Sequence, residues 1–267
     1  MRTRPLTVLS IAGLTACVAA SLAIAAGPTP PFSPDGVLSP NGKTQYVATA
    51  GLTTTVVQAV RVQDAVVLRS TKLNGNFGIP EVAYDGAAGG LTHDGKLLVL
   101  VTNRPTSTGF AVLATKNLKV QQSFTLRGTW GYDATSPEGK TLYLIQSLNQ
   151  ANGFHYLVRA YDLQRHKLVK GAIADKSEPG AMTGLPMSRA TSASGRWAYT
   201  LYQRTTPGGK PFIHALDTVN RVAICIDLND WNASLADARL TLSSDETQLI
   251  VKNFATGKTL MTVAAPR

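Results

Sequence analysis

The sequence predicts an all-β fold of repeated four-stranded antiparallel sheets, a β-propeller, on three observations. A short turn phrase recurs five times, each recurrence runs into an apolar strand, and helical periodicity is hard to find after the first thirty residues. The phrase reads Ser39-Pro40-Asn41-Gly42-Lys43, then Thr92-His93-Asp94-Gly95-Lys96, then Ser136-Pro137-Glu138-Gly139-Lys140. It returns as Ser192-Ala193-Ser194-Gly195-Arg196 and as Ser243-Ser244-Asp245-Glu246-Thr247. Equivalent positions lie 44 to 56 residues apart, about the length of one propeller blade. Five phrases imply five blades; the segments 72–92 and 174–190 are long enough to hold the strands of a sixth.

The third unit shows the order of elements. Tyr132-Asp133-Ala134-Thr135 is a short strand, turned back by Ser136 to Lys140 into the apolar strand Thr141 to Gln146. A polar loop from Asn149 to Gly153 leads to Tyr156 to Tyr161, which alternates more, and a hairpin through His166 reaches Leu168-Val169-Lys170. A meander graded from apolar to alternating is the pattern of a blade whose inner strands are covered on both faces. In the last unit only two strands follow the turn, Leu249 to Lys252 and Thr259 to Val263. The segment from Phe32 to Val37 is the available donor to complete that sheet, with Pro31 and Pro34 restricting it to an edge.

The repeats carry a resemblance. Ser136 to Tyr143, with the later hairpin Asp162 to Val169, resembles the YVTN-type, WD-repeat-like bacterial β-propeller repeat. Arg196 to Tyr202 and Phe212 to Thr218 also resemble a group of exported actinobacterial propellers without assigned activity. The resemblance runs from about Val37 to the C-terminus. It implies fold more than chemistry, because the repeated residues form turns and core.

The first residues read as a targeting segment. Arg2 and Arg4 precede an uncharged run from Leu6 to Ala26, and Ala23-Ile24-Ala25 suits a small-residue cleavage site before Gly27-Pro28. Residues 1–25 are therefore expected to be a signal peptide, 26–36 a Pro-rich leader and possible closing strand, and 37–267 the propeller. Leu14-Thr15-Ala16-Cys17 resembles a lipobox, so lipidation of Cys17 is the alternative, and the protein would be secreted or associated with the cell envelope. An uncleaved or lipidated segment would tie it to the membrane. Beyond the signal only Cys225 remains, in an apolar strand, where an internal disulfide has no second partner.

Of the 267 residues 44% are hydrophobic and 16% charged, enough apolar content for one large core. The formal charge is +10, but Lys and Arg are scattered without a run of four, which argues against a nucleic-acid partner. Gly-Lys-Thr recurs at 42, 139 and 257, yet the glycine that a phosphate loop needs five residues earlier is Val37, Ala134 or Lys252. No Gly-x-Ser-x-Gly elbow occurs, and the four histidines, at 93, 155, 166 and 214, are isolated. Neither catalytic residues, nor a metal site, nor a cofactor is expected.

The long-loop face is richer. Arg104, Trp130, Tyr132, Arg189 and Arg204 are expected to line the channel mouth, where Arg forks suit an anionic group and aromatic planes stack on rings. The implied function is a monomeric, exported, non-catalytic binding module for a protein, peptide or envelope glycan. The alternative is a channel-sited hydrolase of lactonase or glycan-lyase type, for which the face offers Glu81, Asp85, Asp133, Glu178 and His155. For the arginines, pairing with Asp85, Asp133 or Glu178 is the structural alternative to ligand binding.

Overall fold

Every turn phrase is built in the same way. The backbone N–H of Gly42, Gly95, Gly139, Gly195 or Glu246 donates to the carbonyl of the Ser or Thr three residues earlier, at 2.8–2.9 Å. That Ser or Thr hydroxyl accepts the N–H of the residue opening the next strand (Thr44, Leu97, Thr141, Trp197 or Gln248) at 2.9–3.1 Å. The third-step residue is left-handed in all five, with φ from 56° at Glu246 to 71° at Gly195. Glycine takes this conformation freely, whereas Glu246 bears a cost of roughly 1 kcal/mol.

In the computed structural model residues 32–148, 155–178 and 180–266 are described, and they form five antiparallel sheets without a helix. The first sheet runs β1 (Val37–Leu38), β2 (Thr44–Ala50), β3 (Thr54–Arg61) and β4 (Val67–Asn74). The second holds β5 (Leu97–Arg104), β6 (Ser107–Ala114) and β7 (Lys119–Arg127). The third is β8 (Trp130–Thr135), β9 (Thr141–Leu148), β10 (His155–Asp162) and β11 (Lys167–Leu168), with β12 (Met182–Thr183) also paired to β10. The fourth is β13 (Leu185–Thr191), β14 (Trp197–Gln203), β15 (Phe212–Asp217) and β16 (Val222–Asp227). The fifth is β17 (Ala238–Leu242), β18 (Gln248–Asn253) and β19 (Thr259–Ala264).

Residues 72–92 and 174–190 serve these five sheets. Inside β5, the place of an innermost strand is filled by two fragments: Gly78 bridges Val101, and Leu91 bridges Leu98. The break follows from the residues. Gly90 has φ +88° and a Cβ there would lie 2.4 Å from the Val99 carbonyl oxygen, so the chain approaches β5 only where a side chain is missing. Between the fragments a small hairpin, Val82 N–H to Ala87 carbonyl at 2.8 Å, reaches across to β13, where Tyr84 N–H donates to the Pro186 carbonyl at 2.8 Å. The segment 174–190 contributes β12 to the third sheet and β13 to the fourth.

The sheets stack face to face through four buried apolar clusters, the packing that defines a propeller. Ala59, Leu73, Leu98 and Leu113 join the first sheet to the second. Val112, Trp130, Leu142 and Leu144 join the second to the third. Tyr143, Tyr156, Phe212 and Leu216 join the third to the fourth, and Tyr199, Ile213, Leu249 and Val251 the fourth to the fifth. Among the described residues no such cluster joins the fifth sheet to the first.

One expectation is corrected. The described part of the leader does not complete the last sheet: Phe32 bridges Pro80, Ser33 N–H donates to the Ile79 carbonyl, and Val37–Leu38 pairs with Tyr46 and Gln45. Phe32 is held there because Gly78 leaves room for its ring; a Cβ at 78 would lie 2.3 Å from it. The signal segment 1–25, with Cys17, and the loop 149–154 lie outside the described residues.

Candidate functional site

Two concave sites hold the residues singled out from the sequence. The first lies on the axis, a cavity of about 150 Å³ lined by Tyr132, Asp133 and Thr135 of β8, Arg189 of β13, Val82 of the small hairpin and His93 of the second turn phrase. Tyr132 and Arg189 are thus brought together at this cavity. The guanidinium of Arg189, however, is bonded to the Asp133 carboxylate, and the two side chains are only 8% and 3% exposed. The Arg189 backbone N–H also donates to Asp85 at 3.4 Å. Burial raises the Tyr132 phenol above its ordinary range, so it stays protonated.

Behind this pair, between the third and fourth sheets, polar groups are buried without protein partners. Asp133 Oδ2, the Tyr156 hydroxyl, Arg189 Nε and His214 Nε2 find none among the described residues. The Tyr156 and Tyr202 rings lie 5.6 Å apart, and His214 meets Tyr202 edge-on at 6.4 Å. Burial lowers the His214 imidazole from 6.5 to about 4, against the opposing pull of Asp133. The unfolded chain therefore binds a proton that the fold rejects between those two values. Stability should be full above about pH 6.5 and fall as the pH drops towards 4, by up to roughly 3 kcal/mol. His214→Phe should flatten that slope, read by urea unfolding at pH 7 and pH 4.5.

The second site is a groove of about 350 Å³ beside the second sheet. Leu73 of β4, Phe77 and Ala111 of β6 give it an apolar wall, and Val120 of β7 and Arg104 at the end of β5 line it as well. The Phe110 and Phe124 rings lie on the far side of the sheet, packed towards the third sheet. Arg104 is exposed and makes no ion pair among the described residues. On that far side Phe110 stacks on Phe124 at 5.0 Å, and Phe124 on Tyr161 of the third sheet at 3.9 Å, which holds β6 and β7 in place. An unpaired guanidinium beside an apolar wall can hold a carboxylate whose neighbouring group is apolar.

The remaining candidates sit elsewhere. Trp130 is 3% exposed, packs in the cluster between the second and third sheets, and donates its indole N–H to the Arg127 carbonyl at 2.8 Å. Arg204 pairs with Asp227, has Glu178 at 4.0 Å, and lies over the Phe212 ring at 4.5 Å. The channel mouth therefore does not gather all five residues. The whole of β8 is buried, with Trp130 in the cluster between the second and third sheets. Arg204, just past β14, reaches over Phe212 of β15 to Asp227, which pairs with Phe212 from β16. Cys225 is half-buried, and burial pushes its thiol up to about 12. Of the acidic residues weighed for hydrolysis, only Asp133 lines the axial cavity. No group of three or more His, Cys, Asp or Glu among the described residues is placed to hold a metal ion. The groove itself escaped the sequence reading, because Leu73, Phe77 and Ala111 meet only where the first sheet stacks on the second.

No family model matches the chain, and no curated protein matches it. Solved structures do. Hydrazine synthase of Kuenenia stuttgartiensis is 16% identical over 85% of this chain and 70% of that one, with a TM-score of 0.54. A putative TolB of Agrobacterium tumefaciens is 14% identical over 87% and 81%, with a TM-score of 0.49. The Dos1 propeller is 11% identical over 86% and 57%, so the chain spans little more than half its length, with a TM-score of 0.48. At 16% identity the likeness to the first is one of fold.

Proposed function

We propose that this protein is an exported, non-catalytic β-propeller of the YVTN-repeat kind that binds protein or peptide at the cell envelope through the Arg104 groove. The observation that carries the reading is the contrast between its arginines. Arg189, Arg196 and Arg204 are each committed to a carboxylate of the same chain, whereas Arg104 has no ion-pair partner among the described residues and stands beside an apolar wall of Leu73, Phe77 and Ala111. The axial cavity, where a propeller enzyme would place its chemistry, is narrowed by the chain's own hairpin, and its charges are spent on each other.

The test pairs binding with turnover. The purified protein is applied to arrays of peptides ending in a free or an amidated carboxyl group and of anionic glycans, and to lactone and glycan panels with and without added divalent metals. Selective retention of free-carboxyl peptides without turnover is expected; turnover on either panel contradicts the proposal. Export has its own check. Mass spectrometry of secreted protein should find a new N-terminus near residue 26, and protein beginning at Met1 would refute cleavage.

A further inference from the structure

The fifth sheet differs from the other four at its outer edge. Each sheet ends on a strand paired on one side only, β4, β7, β11, β16 or β19, and the difference lies in what that strand carries. Edge strands invite pairing, and proteins blunt them with charge or by keeping them short. Here β4 carries Arg69 and Lys72, β7 carries Lys119 and Arg127, β16 carries Asp227, and β11 is two residues long. By contrast β19 reads Thr-Leu-Met-Thr-Val-Ala, with no charge and no proline. Its Leu260, Met261 and Val263 are half-buried against the cluster between the fourth and fifth sheets.

The opposite face is cationic. Arg239 stands directly across from Lys252, which stands across from Thr259. The rest of that face is Thr241, Gln248, Ile250, Thr262 and Ala264, so no carboxylate answers the two cations. Like charges opposite each other in a sheet are destabilising, and an acidic residue on a further strand would relieve them.

We propose that the free edge of β19 takes an extended segment of a partner protein as a fourth strand, one that alternates apolar and acidic residues. The apolar residues would continue the row of Met261 and Val263. The acidic ones would lie beside Thr259 on the cationic face, one strand beyond Lys252, whose long side chain would reach across to them. Backbone pairing supplies affinity in such strand addition, and alternate side chains supply choice. Neither of the chain's own candidates has this chemistry: residues 1–31 contain no Asp or Glu, and a second copy of β19 is uncharged. This surface is separate from the Arg104 groove.

The orientation of the edge follows from the ladder. Ala265 N–H donates to the Thr247 carbonyl at 2.9 Å, so by two-residue alternation Thr262 and Ala264 turn their backbone groups to the free side. Thr262→Pro then removes an outward donor and leaves the β18 pairing intact. The probes are labelled octapeptides of alternating valine and glutamate, or valine and lysine, followed by fluorescence anisotropy on the full chain. Saturable binding of the glutamate peptide, at least tenfold tighter than the lysine peptide, is expected. Thr262→Pro should weaken it at least tenfold, and Lys252→Glu should reverse the preference even if the proline variant folds poorly.

Equal binding of both peptides, no binding, or an unchanged preference in Lys252→Glu overturns the proposal. So does loss of the peptide in Arg104→Ala, which would place it in the groove. Binding that appears only after residues 1–31 are removed would make the chain's own N-terminal segment the occupant. Dimers abolished by Thr262→Pro would make it a second copy. Either result also contradicts the proposal.

Discussion

Replacing Arg189 with methionine is expected to cost about 3–5 kcal/mol, because it strands a carboxylate in the interior. Asp133 is 3% exposed at its side chain, and one of its oxygens already lacks a partner. Water cannot take over the guanidinium's role without opening the contact between β8 and β13. The double variant Arg189→Met/Asp133→Leu should recover most of the loss, since removing both charges also removes their desolvation cost. Urea unfolding of the two single variants and the double provides the cycle. If Arg189→Met costs less than about 1 kcal/mol, the pair is not a structural pin, and a ligand role for Arg189 returns.

Replacing Trp130 with alanine should be comparably severe, about 3–5 kcal/mol, the range for truncating a buried aromatic side chain. The indole is embedded between the second and third sheets, and its N–H is satisfied by Arg127. The backbone N–H of Trp130 donates to the Thr108 hydroxyl at 3.0 Å, so the residue also fixes how β8 enters the third sheet. Trp130→Phe, which keeps most of the area and loses the hydrogen bond, should cost about 1 kcal/mol more than nothing and far less than alanine. A residue that stacked on ligand at the channel mouth would show the reverse pattern: a normal melt and lost binding.

The repeat was legible because its physics is local. A Ser or Thr hydroxyl three residues before a left-handed position leaves a mark in sequence, and it survives in the last unit although Glu246 replaces glycine. The strands of the third unit were readable for the same reason, their apolar runs being bounded by turn residues. The split innermost position of the second sheet was not. Gly78 and Gly90 interrupt it, and its two halves come from either side of a hairpin whose partner, Pro186, lies about a hundred residues away. Pairing of the arginines with Asp85, Asp133 or Glu178 stood open as the structural alternative, and the approach of β8 to β13 selects Asp133 for Arg189. The commitment of Arg204 to Asp227 depended on the register of β14 against β15 and β16, which no local signal carries.

Arg104 carries the functional reading, and comparing its binding and stability in one variant tests that reading most directly. Arg104→Ala removes an exposed, unpaired side chain, so its thermal melt should match that of the parent. Titration with a free-carboxyl peptide selected on the array should show affinity reduced at least tenfold, the loss expected when a charge-assisted hydrogen bond is removed. The same peptide with an amidated end should bind parent and variant alike. Full retention of carboxylate-dependent binding in Arg104→Ala, or a fall in its melt that accounts for the lost binding, would contradict the account.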